Sequence, residues 1–200
     1  MIKYEPDFYS RELKNRRDLI IYLPPDYYNN PNLRYPVLYM HDGNNLFDAR
    51  TSFSGVKWGV DDAADSLITE NKLQQLIIVG IYNTPDRISE YSPFADNERG
   101  GGNGDAYLSF IVESVKQFID EKYRTLTNRE NTGIAGSSLG GLISLYASIK
   151  FNDIFGLVGA VSPAIYWSNL RIIDYLKDSK LAYPFKIWFD MGTDEGEDSG

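Results

Sequence analysis

Residues 133–141 read GIAGSSLGG, and this run decides the fold. Within it, Gly136-Ser137-Ser138-Leu139-Gly140 matches G-x-S-x-G, the pattern of a nucleophile elbow. An elbow needs a strand before it and a helix after it. Both are expected here: Thr132–Ala135 reads as a short strand, and Leu139–Ile149 as a helix with small residues. So tight a turn strains the backbone of its serine and raises the hydroxyl above the sheet. Side chains at positions 136 and 140 would collide with the neighbouring strand and helix. The helix N-terminus offers N–H groups and positive potential to an oxyanion. Ser138 is therefore the candidate nucleophile, and the Leu139 amide a candidate oxyanion donor. Ser137 occupies an x position and points elsewhere. The competing interpretation is a helix-entry turn with a capping serine.

Upstream, strands alternate with helical patterns. Arg17–Leu23 (RDLIIYL) reads as a strand stopped by Pro24-Pro25. Val37–Met40 (VLYM) and Leu76–Tyr82 (LIIVGIY) read as strands buried on both faces. Val60–Asn71 has helical spacing, with Asp61 and Asp62 in its first turn. Asn83–Asn103 reads as a polar loop ending in glycines, and the GGGNG run Gly100–Gly104 as a flexible hinge, since it lacks the lysine of a phosphate loop. From Asp105 to Tyr123, Leu108, Ile111, Val112, Val115, Phe118 and Ile119 recur at helical intervals. Downstream come a strand at Leu157–Val161, a short helix at Leu170–Leu176 and a strand at Phe185–Met191 (FKIWFDM). Together these predict an α/β fold, a mostly parallel sheet with helices on both faces and its chemistry at the carboxyl ends of the strands.

Two of those strand ends carry further candidates. His41-Asp42-Gly43-Asn44-Asn45 follows VLYM, and a loop there supplies the second oxyanion donor, with Gly43 and Asn44 the expected amides. His41 closes a buried strand and precedes the elbow, whereas the base of such an elbow follows its serine and acid in the chain. It is therefore expected to support the loop, not to act as base. After FKIWFDM, the stretch Asp190–Gly196 offers Asp194 and Glu195 as an acid to orient a histidine. Glu195 is preferred because it falls after the loop has cleared the strand. A solvated acidic loop is the other interpretation.

Composition narrows the function. The 200 residues are 42% hydrophobic, enough for a globular core. They hold 20 basic and 28 acidic side chains, a net charge of -8 that argues against a nucleic-acid groove. No apolar run is long enough to span a membrane. The absence of Cys removes thiolate metal sites, disulfides and a thiol nucleophile. No metal, nucleotide or redox cofactor is indicated. Met1–Leu23 lacks the apolar core of a signal peptide, so a cytoplasmic location is expected.

YPVLYMHDGNNLFD, NTPDRISEYSPF, YLSFIVESVKQFIDEKYRTL, GIAGSSLGGLISLYA and IWFDMGTDEG together resemble the "Putative esterase" family of α/β-hydrolases. That family includes enterochelin, feruloyl and acetyl-xylan esterases, S-formylglutathione hydrolase and mycolyltransferases. The resemblance runs from about Arg17 to Glu195. It implies Ser138 as nucleophile, Glu195 or Asp194 as triad acid, and Leu139, Gly43 and Asn44 as oxyanion donors. It also implies that Trp58 and the segment Asp86, Arg87 to Tyr91 line the substrate pocket. The substrate is expected to be a small-molecule or carbohydrate ester.

The family places its catalytic histidine after the acid, and residues 196–200 hold none. The expectation is one α/β-hydrolase domain over 1–200, with the last strand and helix, roughly 25–40 residues, missing. A piece so cut is expected to self-associate through an exposed sheet edge near FKIWFDM. Acyl transfer to an alcohol, and a non-catalytic binding module, are the rival functions.

Overall fold

The computed structural model describes residues 1–193, and these build one seven-stranded sheet. The strands are β1 (Ile2–Ser10), β2 (Asn15–Tyr22), β3 (Val37–Met40), β4 (Ile77–Ile81), β5 (Thr132–Ser137), β6 (Leu157–Val161) and β7 (Lys186–Asp190). Their order across the sheet is β1-β2-β4-β3-β5-β6-β7. β1 and β2 pair antiparallel, as do β2 and β4; every pairing from β4 to β7 is parallel.

Side-chain alternation explains why the central strands are apolar throughout. Leu19, Ile21, Tyr39, Val79 and Ile134 point to one face, into a core with Leu108, Ile111, Val115, Leu142 and Ile143. Ile20, Tyr22, Met40, Ile78 and Ala135 point to the other, against Leu46, Phe47 and Ala64. Both faces are thus dry, and a polar residue on β3 or β4 would face a core on either side. The first face is covered by α3 (Gly104–Ser109), a π-helical turn (Phe110–Val115), α4 (Lys116–Lys122) and α5 (Leu139–Lys150). The second is covered by α1 (Val60–Thr69) and the chain entering it.

Several elements differ from the sequence expectation. The helix expected over 105–123 passes through i→i+5 geometry at Phe110–Val115, yet Leu108, Ile111, Val115 and Ile119 are all fully buried. β1 had no apolar run to announce it: its residues are mostly exposed, and it bulges between Glu5 and Phe8. The polar stretch 83–103 contains a one-turn helix, α2 (Arg87–Tyr91). Within the glycine run, Gly102 and Gly104 both donate to the Ser92 carbonyl, at 3.0 and 3.2 Å. The last helix, α6, spans Trp167–Asp178, but Ser168, Asn169 and Leu170 have left-handed φ of 49°, 56° and 62°. Regular helix therefore starts beyond Leu170.

Candidate active site

Ser138 stands between β5 and α5 with φ 56° and ψ -121°, a region that L-residues seldom occupy. Its backbone is held from two sides. Its N–H donates to the Val161 carbonyl at the end of β6, and its own carbonyl accepts from Leu142 and Ala164, all at 3.0 Å. The residue is exposed, while Gly136, Leu139 and Gly140 around it are buried. A Cβ on Gly136 would lie 2.8 Å from the Gly140 carbonyl carbon and 2.9 Å from the His41 ring, so no side chain fits there. Leu142 makes the first intrahelical bond, to Ser138, which leaves the amides of Leu139, Gly140 and Gly141 without an acceptor inside the helix.

The turn after β3 closes on the same end of the sheet. His41 donates its backbone N–H to Ala135 at 3.0 Å, continuing the pairing with β5. Asp42 then takes a left-handed conformation, φ 55° and ψ 46°, and Gly43–Asn45 forms a 3-10 turn. A Cβ on Gly43 would sit 2.5 Å from the Gly80 carbonyl carbon, so the turn presses directly on β4. Ser138, Leu139, Gly43 and Asn44 therefore gather at the carboxyl ends of β3 and β5.

His41 lies beneath this assembly. Its Nδ1 is 2.9 Å from the Tyr107 hydroxyl, and its ring packs on Tyr91 and Tyr107. Complete burial pushes its pKa down to about 3, so the ring is neutral.

Asp42 is the hub of the surrounding hydrogen bonds. Its carboxylate accepts from Asn83 Nδ2 at 2.6 Å and from Arg87 Nε and Nη2 at 2.7 and 2.8 Å. Its N–H donates to the Tyr91 hydroxyl at 3.1 Å. One expectation about the pocket is corrected. Tyr91 is fully buried and has no surface to offer a ligand; it props the turn. Arg87 points its guanidinium at Asp42 and stacks on Tyr91. Asp86 remains exposed at the start of α2.

α2 is itself anchored. Glu90 receives Arg17 Nη1 and Nη2 at 2.9 and 2.7 Å, with both side chains buried. Asn15 donates to the same carboxylate at 2.9 Å. Nothing in the local sequence around Glu90 signals this pairing, since its partner lies on β2.

Trp58 is half-exposed and lines a cavity of about 300 Å³ together with Asn45, Phe53, Val56, Lys57 and Ser137. The cavity lies beside the elbow, and Phe53 and Val56 stand exposed on it. At the end of β7, the Asp190 carboxylate accepts from the Ser162 N–H at 3.0 Å and from the Trp188 indole at 3.1 Å. Asp194 and Glu195, the expected triad acids, lie outside the described residues.

The family model described as "Putative esterase" matches residues 10–198. The uncharacterized protein YbbA of Bacillus subtilis is 27% identical over 195 residues, covering 94% of this chain and 73% of that protein. The ferri-bacillibactin esterase BesA of the same organism is 28% identical over 162 residues, covering 72% of this chain and 52% of BesA. Among solved structures, an IroE-like serine hydrolase from Shewanella oneidensis superposes with a TM-score of 0.73 at 24% identity, over 88% of this chain. The chain spans 55% of that hydrolase's length.

Proposed function

The chain belongs to the "Putative esterase" family, and from that premise we propose that it hydrolyses carboxylic esters with Ser138 as nucleophile. One observation carries the assignment: Ser138 is an exposed serine in a strained turn at the mouth of a helix, backed by hydrogen bonds that hold the strain in place. Its Oγ adds to the ester carbonyl carbon while a base takes its proton. The carbonyl oxygen becomes an oxyanion and receives the amides of Leu139 and of the Gly43–Asn44 turn. The carbon–oxygen bond to the alcohol breaks, the alcohol leaves with the proton, and water then releases the acid from the acyl-enzyme.

His41 is a poor base for this reaction, being buried and neutral with its Nδ1 against Tyr107. We assign the base to a histidine outside these residues, oriented by Glu195 or Asp194. The substrate is a small-molecule or carbohydrate ester whose acyl part enters the cavity at Phe53, Val56 and Trp58. BesA and the other relatives named as siderophore and feruloyl esterases support an ester substrate. Acyl transfer to a second alcohol uses the same acyl-enzyme, and product analysis with an added alcohol separates the two.

The test compares Ser138→Ala with Ser137→Ala in the full-length product of the reading frame, using p-nitrophenyl acetate and a fluorophosphonate label. Ser138→Ala should lower kcat by about 10⁴- to 10⁶-fold and abolish labelling, whereas Ser137→Ala, on the cavity wall, should lower kcat by no more than about tenfold and keep the label. Undiminished turnover in Ser138→Ala overturns the assignment. So does robust turnover by residues 1–200 alone that His41→Ala removes.

A further inference from the structure

Arg87 stands 45 positions from Asp42 in sequence and grips both of its carboxylate oxygens. We propose that Arg87 is a positioning residue for ester cleavage, fixing the turn whose Gly43 and Asn44 amides receive the oxyanion. The inference rests on Ser138 being the nucleophile.

The argument starts at Asp42. Its left-handed backbone directly precedes the two amides, so their direction follows from its φ and ψ. Left-handed backbone costs a residue with a Cβ, Asp less than most, and is held in one orientation by the contacts around it. Gly43 packs directly on β4, with no room even for a Cβ between them. The freedom left in the turn is therefore the swing of Asp42, and its side chain and N–H are both tied down. Arg87 supplies two of the three donors to the carboxylate, and Tyr91 takes the N–H.

Both of those residues belong to α2, whose Glu90 is locked onto Arg17 of β2. The one-turn helix thus acts as a bracket between the sheet and the turn. A planar guanidinium meets both carboxylate oxygens with two parallel N–H groups in one fixed geometry, and an ammonium has no such rigid fork.

Charge points the same way. The Asp42 side chain is only 9% exposed, and its Oδ2 lies 3.7 Å from the position of a Cβ on Gly140, in the first turn of α5. An unneutralised carboxylate there would oppose an oxyanion forming at the same helix end. Arg87 cancels it.

The experiment is steady-state kinetics on p-nitrophenyl acetate with Arg87→Ala and Arg87→Lys in the full-length protein, with thermal melting and fluorophosphonate labelling rates alongside. Arg87→Ala should lose about 100-fold in kcat, the scale of one oxyanion donor, with KM within about threefold. Arg87→Lys keeps the charge and should recover only part of the loss, with labelling slowed in parallel. A KM rise at constant kcat makes Arg87 a substrate contact and overturns the proposal, as does unchanged kcat in either variant. Should Arg87→Ala fail to fold, Arg87→Lys alone decides. If Ser138→Ala retains turnover, the nucleophile assignment has failed, a result separate from any Arg87 outcome.

Discussion

β4 and β7 are both five residues long, both carry an apolar run at their centre and both are parallel to a neighbour, yet their surroundings are opposite. β4 (IIVGI) is buried at every position, bonded to β2 on one side and β3 on the other. β7 (KIWFD) bonds to β6 alone among the described strands, and its Ile187, Trp188 and Phe189 are 45%, 68% and 48% exposed. An apolar run makes a strand of either segment, but coverage depends on what packs against it. The same contrast divides the proposed catalytic machinery. Nucleophile, oxyanion turn and the Arg87 bracket sit over the covered centre, while the acid is expected beyond the end of the bare edge.

The largest effect should come from the anchorage at the centre. Glu90→Ala leaves Arg17 buried without its carboxylate and should cost about 3–5 kcal/mol in urea unfolding, against about 0.5 kcal/mol or less for Phe189→Ser on β7. Equal losses would erase the distinction between the two regions.

Next comes acid sensitivity. The pKa of His41 is about 3 in the folded protein and near 6.5 unfolded, so the unfolded state takes up the proton first as pH falls. Its contribution to stability is intact above pH 6.5 and is lost progressively towards pH 3. Urea midpoints should show about 2 kcal/mol lost between pH 6.5 and 5, and a flatter profile in His41→Gln. Identical profiles would mean that His41 is not held neutral.

The smallest expected change in stability belongs to the edge. We propose that β7 pairs with the same strand of a second copy, because among the described residues no strand bonds to its outer edge and its apolar side chains are exposed. Trp188→Lys should then change stability by no more than about 0.5 kcal/mol while lowering the mass seen by light scattering at high concentration. A monomeric unsubstituted chain at that concentration removes the edge as a contact.

Much of the fold was legible in the sequence. Val37–Met40 and Leu157–Val161 are strands with the expected bounds, because strong period-2 or fully apolar runs end at abrupt polar breaks. The elbow was legible because its glycines and serine are adjacent and its geometry is local. β1 and α2 were not, since one is mostly exposed and the other is a single turn inside a polar stretch. The site was legible as a location and less so in its roles. Tyr91 is buried beneath Asp42 and lines no pocket, and Arg87 grips the Asp42 carboxylate, a contact that the local sequence does not announce.

By itself, then, the sequence determined the strand–turn–helix at Ser138, the apolar central strands and the turn after β3. Each depends on residues within a few positions of one another. Tertiary structure decided the neutral state of His41, the grip of Arg87 on Asp42, the burial of Arg17 with Glu90 and the exposure of β7. Those depend on partners 45 to 73 positions apart or on which side of a strand is covered. Local pattern sets backbone conformation, but burial and charge neutralisation exist only once distant segments meet.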